Sequence, residues 1–118
     1  MSPPPRADID ESQLAELATL RAEGGGEIVR DLVGMFLRDT AERLEALGVA
    51  ARAADAPTVR AVAHKLKGSS GIVGARRLVT LCAALEAQTS LAGVDEACRA
   101  LDAEFALVRA WFEGRLWT

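Results

Sequence analysis

The chain has 118 residues, about one domain's worth, and half of them are apolar against 26% charged, which excludes a disordered tail. Aromatics amount to only 4% with no tyrosine, while alanine and leucine dominate, a mixture that excludes a sheet-rich fold in favour of helix. A net charge of −3 excludes bulk electrostatic capture by DNA or anionic lipid.

The start of the chain, Met1-Ser2-Pro3-Pro4-Pro5-Arg6, has no apolar signal core, and no window approaches the roughly 18 uninterrupted apolar residues of a membrane span. A cytoplasmic protein is expected. Residues 1–8 read as a flexible lead-in, because consecutive prolines cannot propagate a helix, and residues 9–118 as one helical bundle domain.

The first helix is expected at Asp10 as N-cap, with Gln13 completing a capping box, Ile9 and Leu14 as the staple pair, and Leu14, Leu17 and Leu20 as the buried stripe. The run Gly24-Gly25-Gly26 stops it. A long amphipathic helix then runs from Glu27 to about Arg52, its inward stripe being Ile28, Leu32, Met35/Phe36, Leu44 and Leu47. Asp55 caps the next helix, Pro57 sits in its first turn, and Val59, Val62, Leu66 and Val73 carry the stripe toward Gly74.

After Gly74 the pattern restarts with Leu78, Leu81/Cys82 and Leu85 and fades through Gln88-Thr89-Ser90. Beyond Gly93 it resumes as Val94, Cys98, Leu101, Phe105, Val108 and Phe112. Four long amphipathic helices with short turns predict an all-α, antiparallel up-and-down four-helix bundle with a short extra N-terminal helix. Cys82 and Cys98 lie among apolar neighbours without a Cys or His companion at metal-ligand spacing, so both read as reduced thiols and no bound metal is expected.

His64 is the only histidine. At about 100° per residue, Val59, Val62, Leu66 and Val73 point almost opposite to it, so the imidazole faces water. Arg60, Ala61, Lys67, Gly68 and Gly71 share its side of the helix. Lys67 leans back over the ring, because helical side chains tilt toward the N-terminus, whereas Gly68 and Gly71 offer no side chain and leave the ring sterically open. A glycine inside a helix costs about 1 kcal/mol relative to alanine, so placing glycines here in an alanine-rich chain trades stability for access.

Between Asp55 and Glu86 there is no acid, while Arg60, Lys65, Lys67, Arg76 and Arg77 are all cationic. These cations are expected to disfavour a protonated ring, keeping a neutral, nucleophilic imidazole, and to stabilise a phosphoryl group once it is attached. The spacing therefore reads as phosphoryl-carrier chemistry with His64 as acceptor, Lys67 and Lys65 as phosphoryl-stabilising cations, Gly68 and Gly71 as access positions, and Arg60 and Ala61 as partner-docking positions.

The run Ala63-His64-Lys65-Leu66-Lys67-Gly68-Ser69-Ser70, followed by Gly74-Ala75, Leu78, Cys82 and Leu85-Glu86, resembles the histidine-containing phosphotransfer domains of multistep two-component phosphorelays. The resemblance implies a four-helix bundle whose exposed histidine takes phosphate from the aspartate of one receiver domain and passes it to another. It implies that Lys67 steadies the phosphoryl group, Gly68 makes room for it, Lys65 assists at the rim and Gly74 shapes the following turn. Expected partners are response-regulator receiver domains and a hybrid sensor histidine kinase, with Mg²⁺ on the receiver only and no carboxylate cluster at His64. The chain shows no G-x-x-x-x-G-K phosphate loop, so no ATP-dependent kinase activity is expected. A free-standing, monomeric shuttle is the expected form.

Two rival readings stand beside this one. The first keeps the fold without the chemistry, as a phosphorylation-independent helical adaptor that docks on a kinase or receiver domain. The second makes the cationic segment a helix-turn-helix around Gly74; the acidic chain and the absence of polar base-reading residues in the turn argue against a nucleic-acid partner.

Overall fold

The computed structural model describes residues 5–20 and 25–116, the side chains of 17–20, 25–28 and 116 excepted. Five helices follow one another: α1 (Glu11–Leu20), α2 (Gly25–Arg52), α3 (Ala56–Ile72), α4 (Arg76–Ala87) and α5 (Val94–Leu116). Contacts α2–α3, α3–α4, α4–α5 and α5–α2 close a ring, and α1 packs on α2, which is the bundle with an extra N-terminal helix that the apolar periodicity predicts.

Aspartate caps set the starts of α1 and α3. Asp55 accepts hydrogen bonds from the Thr58 backbone N–H at 3.2 Å and the Thr58 hydroxyl at 2.6 Å, and Pro57 occupies a first-turn position where no N–H is needed. Asp10 does the same ahead of α1, but its carboxylate takes the Ser12 N–H and hydroxyl, and Gln13 contributes its backbone N–H to the Asp10 carbonyl. The expected Asp10–Gln13 box is thus replaced by a tighter local turn. These contacts, the Ser12 and Thr58 side chains foremost, hold both aspartates below the ordinary 3.8.

The core is apolar and continuous: Val33, Phe36 and Leu47 from α2, Val59, Ala63 and Leu66 from α3, Leu78, Cys82 and Leu85 from α4, and Leu101, Val108 and Phe112 from α5 are all buried. Phe36 and Phe112 meet edge to face with centroids 6.4 Å apart. Met35, expected in the stripe with Phe36, is instead 53% exposed. Neighbouring helical residues diverge by about 100°, and the phase is fixed by the wholly buried Val33 and Thr40, which exclude Met35. Of the other expected stripe residues, Leu14, Leu32, Leu44, Val62, Leu81 and Cys98 are only half-buried. The side chains of Leu17, Leu20 and Ile28 lie outside the described residues. Helix α2 starts at Gly25, inside the glycine run, ahead of the expected Glu27.

The segment read as a lead-in is held in place from Arg6 onward. Ile9 forms an antiparallel bridge with Ala75, Asp10 N–H donates to the Gly74 carbonyl at 2.7 Å, and Arg76 N–H donates to the Asp8 carbonyl at 3.0 Å. The Arg76 guanidinium pairs with the Asp8 carboxylate at 2.8 Å, and Arg77 donates to the Arg6 carbonyl. Gly74 makes this clasp possible: its φ is +76°, and a Cβ there would stand 2.7 Å from the Asp10 carbonyl oxygen. No described helix is long and apolar enough to cross a membrane.

Candidate functional site

Helix α3 is continuous from Ala56 through Ile72, so Gly68-Ser69-Ser70-Gly71 is helix and not a terminal loop. That continuity fixes the phase around His64. Val59, Ala63, Leu66 and Ser70 are buried, and the His64 side chain on the opposite face is 67% exposed.

The ring is held from α4. The His64 Nδ1–H donates to Glu86 Oε1 at 2.8 Å, and the other carboxylate oxygen pairs with Lys67 Nζ at 2.6 Å. The Lys67 ammonium first, and the His64 ring next, hold the Glu86 carboxyl below its ordinary 4.5. An ionised carboxylate accepts and cannot donate, so the proton in this contact sits on Nδ1, and in the neutral ring that leaves the lone pair on Nε2. One carboxylate thereby selects the tautomer, orients the ring and parks an ammonium beside it.

This corrects two expectations. A carboxylate does stand at His64, so a purely cationic surrounding does not describe the ring, and Lys67 is engaged by Glu86 and not free. The residue was visible in the sequence as part of Leu85-Glu86. What was missing was the fold of α3 on α4: His64 and Glu86 are equally far from Ala75, so an antiparallel hairpin turning there brings them level.

The five cations of this stretch do not form one patch either. Arg76 is tied to Asp8 and Arg77 to the buried Glu104 at 3.1 Å, both on the turn end of the hairpin. This leaves the helix-turn-helix reading without its basic face. Lys65 is exposed on α3, and its ammonium has no hydrogen-bond or ion-pair partner among the described residues. Arg60 is half-buried and Ala61 exposed, one turn before His64.

The two glycines beside His64 answer to nothing inside the molecule. A Cβ on Gly68 would meet no atom within 4 Å, and one on Gly71 would make an ordinary 3.9 Å contact with Val79. Their helical cost, about 1 kcal/mol each, is therefore not offset by internal packing. The serines between them offer no nucleophile: Ser69 donates its hydroxyl to the Lys65 and Leu66 carbonyls, and Ser70 is buried. Beneath the site, burial pushes the Cys82 thiol up to about 11, with Glu86 adding to the rise and Lys67 opposing it. Among the described residues no group of three or more His, Cys, Asp or Glu side chains is arranged to hold a metal ion.

Residues 31–111, which contain this whole arrangement, match the Hpt domain family. The chain belongs to that family. The Hpt domain is also similar to a solved structure, the histidine-containing phosphotransfer protein B (HptB) of Pseudomonas aeruginosa PAO1, with a TM-score of 0.81 and 30% identity, covering 93% of this chain and 95% of that one. It is 32% identical over 75 residues to histidine-containing phosphotransfer protein 5 of Arabidopsis thaliana and 33% identical over 75 residues to protein 2 of the same plant. Those matches cover 61% of this chain and 48% of each relative, so the Hpt domain spans about half the length of the curated relatives.

Proposed function

We propose that the protein is a phosphorelay intermediate that accepts a phosphoryl group on His64 Nε2 from a receiver-domain aspartyl phosphate and passes it to a second receiver. The observation that carries this reading is an exposed imidazole held at Nδ1 by Glu86, with no side chain at Gly68 one turn on to cover it. In the forward step the Nε2 lone pair attacks phosphorus in line, the P–O bond to the acyl oxygen breaks, and the receiver aspartate leaves as carboxylate. Positive charge grows on the ring as the N–P bond forms, and the Glu86 carboxylate at Nδ1 stabilises it. Lys67 exchanges Glu86 for the incoming phosphoryl oxygens. Lys65 adds positive charge at the rim, Gly71 joins Gly68 as an access position, and Arg60 and Ala61 border the docking face.

In this scheme the chain is a carrier without ATP-dependent kinase activity, and a divalent cation would belong to the receiver's own carboxylates. The partners are response-regulator receivers and, upstream, a hybrid sensor kinase. The test is incubation with a panel of phosphorylated receiver domains: acid-labile phosphate should appear on the wild-type protein and be absent from His64→Gln. Because the replaced ring is solvent-facing, that variant should melt within about 0.5 kcal/mol of wild type. An adaptor acting by docking alone would bind receivers and never acquire label, and label on His64→Gln would reject the site.

A further inference from the structure

We propose that Lys65 is an acylation site for small acyl phosphates, and that its modification damps phosphoryl transfer at His64; the second half rests on the acceptor reading above. Every base outside this site is arginine, so Lys65 and Lys67 are the only side-chain amines of the chain. A guanidinium keeps its proton and its delocalised charge and is a poor acyl acceptor. All lysine-directed chemistry is thereby confined to two residues within three positions of His64.

The structure separates these two. Acylating Lys67 must first break its 2.6 Å ion pair with Glu86, and its side chain is only 34% exposed. Among the described residues, acylating Lys65 breaks no ion pair or hydrogen bond of its ammonium. It projects from the flank of α3 away from α4, about 100° around the helix from His64, clear of the Glu86 carboxylate.

The substrate class follows from the chemistry of the proposed site. An aspartyl phosphate is a mixed anhydride of a carboxylic acid and phosphoric acid, and it has two electrophilic atoms. The imidazole takes the phosphorus. An amine in its unprotonated form takes the carbonyl carbon: a C–N bond forms, the C–O bond to the phosphate breaks, phosphate leaves with the electron pair, and the surplus amine proton goes to solvent. A surface whose ammonium groups attract the phosphate of one acyl phosphate attracts that of another, such as acetyl phosphate. The product amide carries no charge, so one of the cations beside His64 is lost.

The test maps acetylation by mass spectrometry on the full chain after exposure to acetyl phosphate or to S-acetyl-N-acetylcysteamine, an uncharged acetyl donor, with Nα-acetyl-lysine in the same solution as reference. Lys65 should be acetylated in preference to Lys67 by up to about fivefold, the worth of an ion pair of this exposure. It should exceed the reference amine with acetyl phosphate but not with the thioester. Acetyl phosphate treatment should then slow phosphate uptake from a phosphorylated receiver more in wild type than in Lys65→Arg, whose guanidinium is not acylated and where only the slower Lys67 remains to react. Modification of Lys67 equal to or above Lys65, or Lys65 no faster than the reference, overturns the site. An equal loss of uptake in Lys65→Arg overturns the damping. If untreated protein takes no phosphate from any receiver, the acceptor reading fails instead, and the acetylation map decides the lysine site by itself.

Discussion

Replacing Gly68 should move stability and function in opposite directions. Alanine is favoured over glycine in a helix interior by about 1 kcal/mol. The added Cβ meets no protein atom within 4 Å, so neither a clash nor new burial alters that figure. Gly68→Ala should therefore be more stable by about 0.5–1 kcal/mol, a rise in Tm of roughly 2–5 °C for a chain of this size. The same position lies one turn beyond His64 on its exposed side, where an approaching aspartyl phosphate must come within about 3–3.5 Å of Nε2, and a misplacement near 1 Å costs on the order of a hundredfold. Gly68→Gln should accordingly lower transfer from a phosphorylated receiver by at least about tenfold while melting no lower than wild type. Calorimetry and a label-transfer time course read the two effects separately. A Gly68→Gln protein that melts lower, or that transfers at the wild-type rate, would show that this glycine serves the fold and not an incoming partner.

Gly74 should behave in the contrary way: alanine there meets a left-handed backbone cost of about 1–2 kcal/mol and also the Asp10 carbonyl, so Gly74→Ala should lower Tm by roughly 5 °C or more. Gly93→Ala, with φ +77° but open space around it, is the control, and an equal loss in both would deny the clasp any energetic weight. Acid should destabilise the protein: Glu86, Asp10 and Asp55 are all held below their ordinary values, so their stabilisation is complete above about 4.5 and is lost as pH falls through the depressed folded values. Melting curves from pH 7 to pH 3 should show that loss, with a shallower acid arm in Glu86→Gln. Lys67→Ala should slow transfer or shorten the life of the phosphorylated protein with Tm nearly unchanged; a large loss of stability would assign Lys67 to the fold.

The helices and the outward turn of His64 were legible because both depend on local period. Leu66, Val59 and Val73 settle the phase of α3 without knowledge of any other element, and Asp55 with Pro57 marks its start. What the period does not carry is contact between elements. Glu86 at the ring, Asp8 and Glu104 on the two arginines, and the bridge from Ile9 to Ala75 each join residues brought together only by the pairing of helices. Their cost to the reading was specific: an all-cationic site was expected where a carboxylate is shared between two partners. Met35 failed for a smaller reason, since two adjacent apolar residues compete for one inward direction and periodicity cannot choose between them.

The double grip of Glu86 sets how tightly the proposed carrier holds its cargo. Before transfer, one anion serves a ring N–H and an ammonium; afterwards a second, more highly charged anion sits on the far nitrogen of the same ring, and the two must divide a single ammonium. Repulsion between the two anions opposes the modified state. The phosphorylated protein is thus kept from becoming an energetic sink, and the poise that lets the group arrive is what lets it depart.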